Sequence, residues 1–443
     1  MTDVTGATGL LKGALAVLIG TLVAFLAWQY LMPLEFQSTL GLNHRGVAQY
    51  RDQYGITAAP MEIVRYRIGF RALVASMWLS YFVVVAACFE GGTLSRRARA
   101  AVVIAPALAM AVAWPLSFST DTHSYVGYAH LATSCHVNPY FADPETLLAA
   151  GDPIAKFMTR HLSSPYGPLW TVLSIAIVWA TNALGVFVQL TAFKLIAAAA
   201  LVALAWIAGE LAEHLESGRG AAAFLAVGVN PLLAIEGPGN GHNDLLMMAL
   251  SFGALLALVR KRSGLAAVLV GAAAAIKYIP LALVPWMAIA ATSGFVPRRR
   301  RISAAVMFAA AAFAPLVVTF VPFWRGLPTL AGLGERWHTG QLAWAGPIKV
   351  VSASSVVAAA AYAAASFWVA ARPELIRVVT AWACVSIVVF FTVTGTFFPW
   401  YLAWSWPAVF VARWSRLSRV AAIVLSMISL LWMLAYSRGA PAP

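Results

Sequence analysis

Long apolar runs, separated by short polar segments, dominate this chain. Each run approaches the roughly 20 residues that a helix needs to cross a bilayer. A segment in lipid must satisfy its own backbone hydrogen bonds, so we predict that each run is helical. The predicted helices cover residues 10–31, 68–90, 99–117, 187–212, 221–236, 245–259, 304–323, 347–371, 376–393, 400–413 and 420–437.

Two further segments need a separate interpretation. The stretch between Arg262 and Arg298 is long for one helix, and it is predicted to be a hairpin with Lys277 and Pro280 at its tip. Residues 166–182 are predicted to be re-entrant. The expected fold is an all-α polytopic membrane protein with about 13 transmembrane helices plus short re-entrant or juxtamembrane helices. We expect one transmembrane domain over residues 1–443, with an extracytoplasmic catalytic loop at 118–165 and no separate soluble domain.

Composition and charge sharpen this prediction. Hydrophobic residues make up 61% of the chain and charged residues 10%, which excludes an ordinary soluble globular protein. The net charge of +14 comes from short basic clusters between apolar runs, so it indicates cytoplasmic loops rather than nucleic-acid binding. Lys194 lies inside an apolar run and is expected to snorkel to the interface. The basic clusters lie within residues 96–99, 260–262, 298–301, 372–377 and 413–419.

The first candidate group follows the third apolar run, in Asp121-Thr-His123-Ser-Tyr125. An acidic residue near a membrane boundary usually has a function, because drawing it into the apolar region is costly. Partial desolvation there would raise the carboxylate pKa toward the value that a general base needs. The structural alternative is that Asp121 only caps a helix N-terminus.

The second candidate group lies between two apolar runs, in Glu236-Gly-Pro-Gly-Asn240-Gly-His242-Asn243-Asp244. Glycines let the backbone approach a ligand closely, and the polar side chains converge beside them. Glycine-rich turns containing Asn and Asp are also ordinary hairpin sequences, so a purely structural role is the alternative. His242 with Asp244 is too sparse for a metal motif, so we predict no metal site.

Cations and aromatic residues on the predicted outer face complete the candidates. Lys277 stands beside a helix-breaking proline, where we expect it to bind a phosphate. Trp400 and Tyr401 indicate either an interfacial aromatic belt or a platform for a sugar ring or an isoprenoid chain. Further cationic candidates are Arg160, Arg336 and His338.

Six short motifs occur in a characteristic order between residues 119 and 404. The order of these motifs resembles that in polyprenyl-phosphate-dependent glycosyltransferases of the GT-C fold. The resemblance is strongest to the actinobacterial, family 87-like α-mannosyltransferases that build lipomannan and phosphatidylinositol mannosides. Cys135 and His136 stand before the Asn138-Pro139-Tyr140 motif, where a glycine-rich segment is more usual in the family. The motifs are Asp121-x-x-Ser-Tyr, Asn138-Pro139-Tyr140, Tyr166-Gly-Pro-Leu, Asn230-Pro231 followed by Gly-His242-Asn-Asp244, Lys277-Tyr-x-Pro280 and Pro399-Trp400-Tyr401.

The resemblance implies an inverting hexosyltransferase of the cell membrane with an extracytoplasmic site. It implies a polyprenyl-phosphate sugar, expected to be mannose, as donor, a glycolipid or glycan as acceptor, and an α-mannosidic linkage as product. Asp121 corresponds to the catalytic aspartate. No cofactor, divalent metal or nucleic acid is indicated. Membrane lipids are expected to contact the protein. Substrate contacts are expected from the other motif residues and candidates: His123, Tyr125, Asn138, Tyr140, Arg160, Tyr166, Glu236, Asn240, His242, Asn243, Asp244, Lys277, Arg336, His338, Trp400 and Tyr401.

Two rival classes have the same general composition. A lipid or sugar transporter, or a flippase, also contains many helices and intramembrane charge, but such proteins often carry inverted repeats, which this sequence lacks. An O-antigen-ligase-like enzyme would favour a large arginine-rich outer loop. The predicted outer loops of this chain contain only a few arginines.

Overall fold

The structure is a computed structural model whose regular elements are helical. Within the described residues there is no strand, which confirms the all-α prediction. Predicted candidates Arg160, Arg336 and His338 lie outside the described residues. The residues that the structure describes are 4–31, 60–113, 119, 121–142, 144–152, 154–155, 158, 163–294, 297–326, 329, 353–392, 399–412 and 416–436.

Most helix bounds follow the apolar runs, but the run 400–413, predicted as one helix, is a 3-10 turn at Pro399–Trp404 followed by a short helix at Trp406–Val411. Short 3-10 turns at Asn182–Leu184, Ile279–Ala282, Val321–Phe323 and Pro399–Trp404 separate some helices, and a π-helical turn covers Ile235–Gly239. The α-helices are α1 Val4–Leu31, α2 Pro60–Phe89, α3 Arg96–Val112, α4 Asp121–Thr133, α5 Pro144–Ala149, α6 Pro168–Thr181, α7 Val186–Leu215, α8 Gly220–Gly228, α9 Pro231–Ala234, α10 Asp244–Val259, α11 Ser263–Ile276, α12 Leu283–Thr292, α13 Arg298–Phe320, α14 Ala353–Ala371, α15 Leu375–Thr392, α16 Trp406–Val411 and α17 Arg416–Tyr436.

Several helices are long and apolar enough to cross a membrane. Among the described residues there are 4 such helices, or up to 5 if one bent pair is counted as a single span. Shorter apolar helices of 10–17 residues include α10, α11 and α12. The chain is therefore an all-helical protein with membrane-spanning character. The total of about 13 spans and the GT-C fold remain predictions.

The described chain divides into two compact units. Unit 1 contains the described parts of Met1–Ser119, Phe193–Leu245 and Val409–Pro443. Unit 2 contains those of Thr120–Ala192 and Leu246–Ala408. The prediction of a single transmembrane domain remains a prediction.

In unit 1, the run predicted as one helix at 221–236 is broken into two segments bent by 51°. Pro231 has no N–H and disfavours helical geometry at Asn230, which is extended. The break leaves the Ala226 carbonyl without its usual helical partner, and the Tyr81 hydroxyl donates to it at 2.6 Å. Asn230 donates to the Tyr81 hydroxyl, and its side-chain oxygen caps Leu233. The broken helix is thus held by hydrogen bonds.

The prediction that Lys194 snorkels is wrong. Its side chain is only 3% exposed, and Nζ donates to the carbonyl of Ala113 at 2.6 Å. Ala113 is the C-cap residue directly after α3, and the carbonyls at a helix C-terminus have no partner within the helix. An ammonium near a helix C-terminus satisfies such a carbonyl and also favours the helix dipole. The buried lysine is therefore a helix cap.

In unit 2, a glycine allows α11 and α13 to lie against each other. A Cβ added to Gly271 would overlap the backbone carbonyl of Ala312 and would lie 3.1 Å from Cδ of Pro315. Backbone atoms cannot move aside as a flexible side chain does. Contact at this point therefore requires a residue without a side chain.

We expect Gly271→Ala to lower the thermal unfolding midpoint of the purified protein, because overpacking typically costs about 1–3 kcal/mol. The matched control is Gly264→Ala in the same helix, where an added Cβ meets nothing within 4 Å. The control should be neutral or stabilising by up to about 1 kcal/mol, since alanine favours helix. Equal midpoints for the two variants would contradict this packing interpretation.

Candidate functional site

Helix α4 carries the first candidate group, and it lies inside unit 2 rather than on its surface. The predicted loop at 118–165 had no assigned helix, but the structure shows α4 and the short α5 within it. Ten of the thirteen α4 residues are buried, although the sequence is not apolar. Hydropathy missed α4 because its interior contains polar residues. Asp121 is its first residue and is buried.

His123 lies in the first turn of α4. Burial of its imidazole lowers the pKa to about 4, so the ring is neutral near pH 7. A neutral imidazole accepts or donates hydrogen bonds without adding a second charge beside Asp121. This suits a group that binds a hydroxyl rather than an anion.

An aromatic cluster joins α4 to the segment before α6. The ring of Tyr125 meets the rings of Tyr166 and Trp170 edge-on, with centroids 4.8 and 4.9 Å away. Tyr128 contacts Tyr166 in the same manner at 6.1 Å. Edge-to-face aromatic pairs stabilise by about 0.5–1.5 kcal/mol beyond their burial. The first and third sequence motifs are therefore packed together.

The Asn138-Pro139-Tyr140 motif holds several segments of unit 2 in place. The Asn138 amide donates to the Phe323 carbonyl at 2.8 Å, and its oxygen accepts from the Tyr140 N–H. The Tyr140 hydroxyl donates to the Tyr166 carbonyl at 2.9 Å and lies 3.0 Å from the Thr171 hydroxyl. The substrate-binding role of Asn138 and Tyr140 stays a prediction, while the positions of both side chains indicate a positioning role.

Gly167 brings the third motif against the fifth. Its N–H donates to the Ile276 carbonyl at 3.0 Å, immediately before Lys277. A Cβ at this position would overlap the Ala275 carbonyl. Glycine is thus required for the close approach of the two backbones.

Lys277 follows the last residue of α11 in extended backbone geometry. Its ammonium lies 4.7 Å from the ring centroid of Tyr401 and 5.6 Å from that of Trp404. These two rings pack on each other with centroids 4.7 Å apart. Within 6 Å, an aromatic face attracts a cation. Because the rings carry no net charge, these two contacts hold the ammonium without neutralising it.

The aromatic 3-10 turn that holds Lys277 is anchored to α15. The indole of Trp382 donates to the Trp404 carbonyl at 2.8 Å, and the Ser386 and Ser405 hydroxyls lie 2.9 Å apart. Trp400 is buried and meets the Tyr401 ring edge-on at 5.8 Å. These contacts hold the rings in place, and the rings in turn hold the Lys277 ammonium in place.

Five of the six sequence motifs are therefore linked by direct contacts within unit 2. The contacts run from Tyr125 to Tyr166, from Tyr140 to Tyr166, from Gly167 to Ile276, and from Lys277 to Tyr401. Residues far apart in sequence are brought into one continuous set. This set is the main candidate site.

The remaining motif forms a buried polar cluster in unit 1. The Asn240 amide donates to a Glu236 carboxylate oxygen at 2.7 Å, and His242 Nε2 lies 3.5 Å from the same oxygen. Asn243 and Asp244 follow and are each 1% exposed. Burying polar groups is costly unless they are hydrogen-bonded, so such a cluster is retained for structure or for a ligand.

Sequence reasoning missed a buried imidazole–carboxylate pair in unit 2. In the last turn of α4, His130 Nδ1 lies 2.7 Å from an Asp152 carboxylate oxygen, and Nε2 lies 3.1 Å from the Gln189 side-chain oxygen. The other Asp152 oxygen accepts from the Ile154 N–H. The pair was missed because three distant segments supply it and no motif joins them. Trp404 was missed as a partner of Lys277.

No group of three or more His, Cys, Asp or Glu residues positioned to hold a metal ion occurs in the part of the chain that the structure describes. Asp152 pairs with His130, and Glu236 accepts from the Asn240 amide.

The apolar helices and the buried polar site define an integral membrane protein of the helical class. Residues 42–293, more than half of the chain, match the family described as alpha-(1->6)-mannopyranosyltransferase, N-terminal domain. The chain belongs to this family. The matched region contains Asp121, His242 and Lys277 and ends before Tyr401.

Two similar proteins are both named alpha-(1->6)-mannopyranosyltransferase A. The one from Mycobacterium tuberculosis is 28% identical over 278 residues, which cover 61% of this chain and 50% of the relative. The one from Corynebacterium glutamicum is 29% identical over 197 residues, which cover 42% of this chain and 39% of the relative. The chain thus spans half or less of the length of these relatives. No solved structure matches it.

We expect His130→Phe to destabilise the protein by about 1–3 kcal/mol, because the Asp152 carboxylate then loses its buried hydrogen-bond partner. Thermal unfolding in detergent measures the change. The control is His214→Phe, an exposed histidine in the last turn of α7. If both variants unfold at the wild-type temperature, the pair does not stabilise α4.

Proposed function

We propose that this protein is an inverting mannosyltransferase that uses a polyprenyl-phosphate mannose donor. The acceptor is a glycolipid or glycan on the extracytoplasmic face of the cell membrane, and the product has an α-mannosidic linkage. Family membership supports sugar transfer, and the names of the relatives support mannose and the α-1,6 linkage. The observation that carries the proposal is the continuous set of contacts that joins the helix of Asp121 to Lys277 in unit 2.

Asp121 is the proposed general base. An inverting transfer needs one base, which removes the proton from the acceptor hydroxyl as that oxygen attacks the anomeric carbon. The carboxylate is held at the start of a buried helix, and neutral His123 lies two residues further on. The proposed base therefore lies on a buried helix, where packed side chains limit how an acceptor can reach it.

Lys277 is the proposed partner of the departing lipid phosphate. The bond from the anomeric carbon to the phosphate oxygen breaks in the same step, and negative charge grows on that oxygen. A preorganised cation stabilises this charge without moving during the reaction. The Tyr401 and Trp404 rings hold the ammonium while leaving its charge intact.

The buried polar cluster of unit 1 is proposed to bind hydroxyl groups of a substrate. Glu236, Asn240 and His242 together offer both donors and acceptors, which is the combination that sugar hydroxyls require. We propose the same role for Asn243 and Asp244. The extracytoplasmic position of the site is inferred from the basic clusters. Loops that carry such clusters favour the cytoplasmic side, and the candidate residues lie in or next to the loops predicted on the other side.

A second candidate function is transport of a lipid-linked sugar. The broken span in unit 1, bent by 51° beside buried polar residues, favours it. Discontinuous helices of this type form substrate sites in many transporters. The two functions differ in whether a glycosidic bond is broken, so one assay separates them.

We expect Asp121→Asn to lower the rate of mannose transfer by about 10²–10⁴-fold, the usual contribution of a general base. Purified protein is supplied with radiolabelled polyprenyl-phosphate mannose and a mannosyl acceptor, and the product is separated and counted. A nucleotide-linked mannose donor is tested in parallel. The control is Glu145→Gln, which removes an exposed carboxylate from the same unit.

If Asp121→Asn transfers mannose as fast as the parent, the assignment of the base is wrong. If only the nucleotide-linked donor reacts, the donor class is wrong. Movement of a labelled lipid across vesicles without consumption of the donor would establish the transporter instead.

We expect Lys277→Gln to raise KM for the polyprenyl-phosphate donor and to lower kcat, for a combined loss in kcat/KM of about 10²-fold. The reason is that one fixed positive charge next to the departing phosphate is removed. The control is Lys261→Gln in the exposed turn after α10. An unchanged kcat/KM in Lys277→Gln would contradict the phosphate role.

A further inference from the structure

Two arginines from distant parts of the sequence meet on one aromatic ring in unit 1. The guanidinium carbon of Arg219 lies 6.0 Å from the centroid of the Phe89 ring, and that of Arg419 lies 5.8 Å from it. Phe89 ends α2, Arg219 directly precedes α8, and Arg419 is in the first turn of α17. Three segments therefore bring two positive charges to one place.

The turn that carries Arg219 has a fixed geometry. One Glu213 carboxylate oxygen accepts from the Gly218 N–H and the other from the Gly220 N–H, both at 2.9 Å. Gly218 adopts a left-handed conformation, with φ of +84°, which favours glycine. The Glu213 carboxylate is thus engaged by the backbone on either side of Arg219. It holds the arginine in position.

Arg219 is charged at neutral pH. Arg219 is half-buried, and burial is the main reason that its pKa is lowered to about 10. The charge of Arg419 lowers this pKa further, while Glu216 raises it. A value near 10 still leaves the guanidinium protonated at pH 7. The Glu216 carboxylate offsets part of the charge, and the two guanidiniums together still exceed it by one positive charge, so an anion beside them would be favoured.

The height of this pair relative to the apolar spans indicates the kind of anion. The apolar span Ile68–Phe89 ends at the ring that both guanidiniums contact. Phospholipid phosphates lie at the level where an apolar span ends. The planar guanidinium group matches a phosphate with two parallel hydrogen bonds. Basic pockets between transmembrane helices are typical sites for anionic headgroups.

We infer that Arg219 and Arg419 bind the phosphate group of an anionic phospholipid, with Phe89 holding the two guanidiniums in register. The lipid chains would extend along the apolar surface of the adjoining helices. This site lies in unit 1 and contains none of the residues proposed for sugar transfer. It is therefore independent of the proposed enzymatic activity.

The test measures retention of lipid by the purified full-length protein with native mass spectrometry. Protein in detergent is mixed with equal amounts of phosphatidylglycerol and phosphatidylcholine, and the bound lipids are counted. We expect wild-type protein to prefer phosphatidylglycerol. Replacing both arginines (Arg219→Gln with Arg419→Gln) should lower that retention by about tenfold, since each basic side chain at an anionic surface contributes several-fold.

Two further variants make the result specific. Replacing Arg260 and Arg262 by Gln removes the same charge from unit 2 and should leave retention of phosphatidylglycerol unchanged. Phe89→Leu keeps an apolar residue but removes the ring, and it should weaken retention while both charges remain. Thermal midpoints of all variants are measured to show that each is folded.

The inference is wrong if the paired arginine variant retains phosphatidylglycerol as wild-type does. Equal losses in the paired variant and the Arg260, Arg262 control would show general attraction to basic loops, which also overturns it. Stabilisation by inorganic phosphate, without preference for phosphatidylglycerol, would identify free phosphate as the ligand and reject the lipid. None of these readouts uses a sugar donor.

Discussion

Polar groups buried among apolar helices must find hydrogen-bond partners inside the protein, and the described structure depends on this constraint. The Tyr81 hydroxyl satisfies a carbonyl that the break at Pro231 releases. Lys194 does the same for the end of α3, and Tyr140 for the Tyr166 carbonyl. In each case one side chain joins two segments that are distant in sequence. Satisfying the backbone and assembling the helices are therefore one process.

The same hydrogen bonds and ring contacts set the geometry of the candidate site. Tyr140 fixes the carbonyl of Tyr166, whose ring packs against Tyr125 on the helix of Asp121. The next residue, Gly167, is bonded to the backbone just before Lys277. The motif residues thus hold one another in position. If a variant of Tyr140 loses activity, the first explanation is therefore a displaced Tyr166 and α4 rather than a lost contact with the substrate.

Apolar periodicity predicted most helices well, because membrane spans are long and uniform. The run 187–212 corresponds to Val186–Leu215, and the hairpin break falls at Lys277 and Pro280 as predicted. Helix α4 was not predicted, because a buried helix rich in polar residues has no hydropathy signal. The candidate residues of the site were mostly named from sequence, but their partners were not. His130, Asp152 and Gln189 come from three segments, and only folding brings them together.

The burial of α4 also bears on how the protein is made. This helix is short and includes Asp121 and several polar side chains, and such residues make entry of an isolated segment into lipid unfavourable. Most of its residues nevertheless lie inside unit 2. It therefore cannot be inserted as an independent span during synthesis. We therefore expect α4 to reach its position together with the neighbouring helices of unit 2, so that the element carrying Asp121 depends on their assembly.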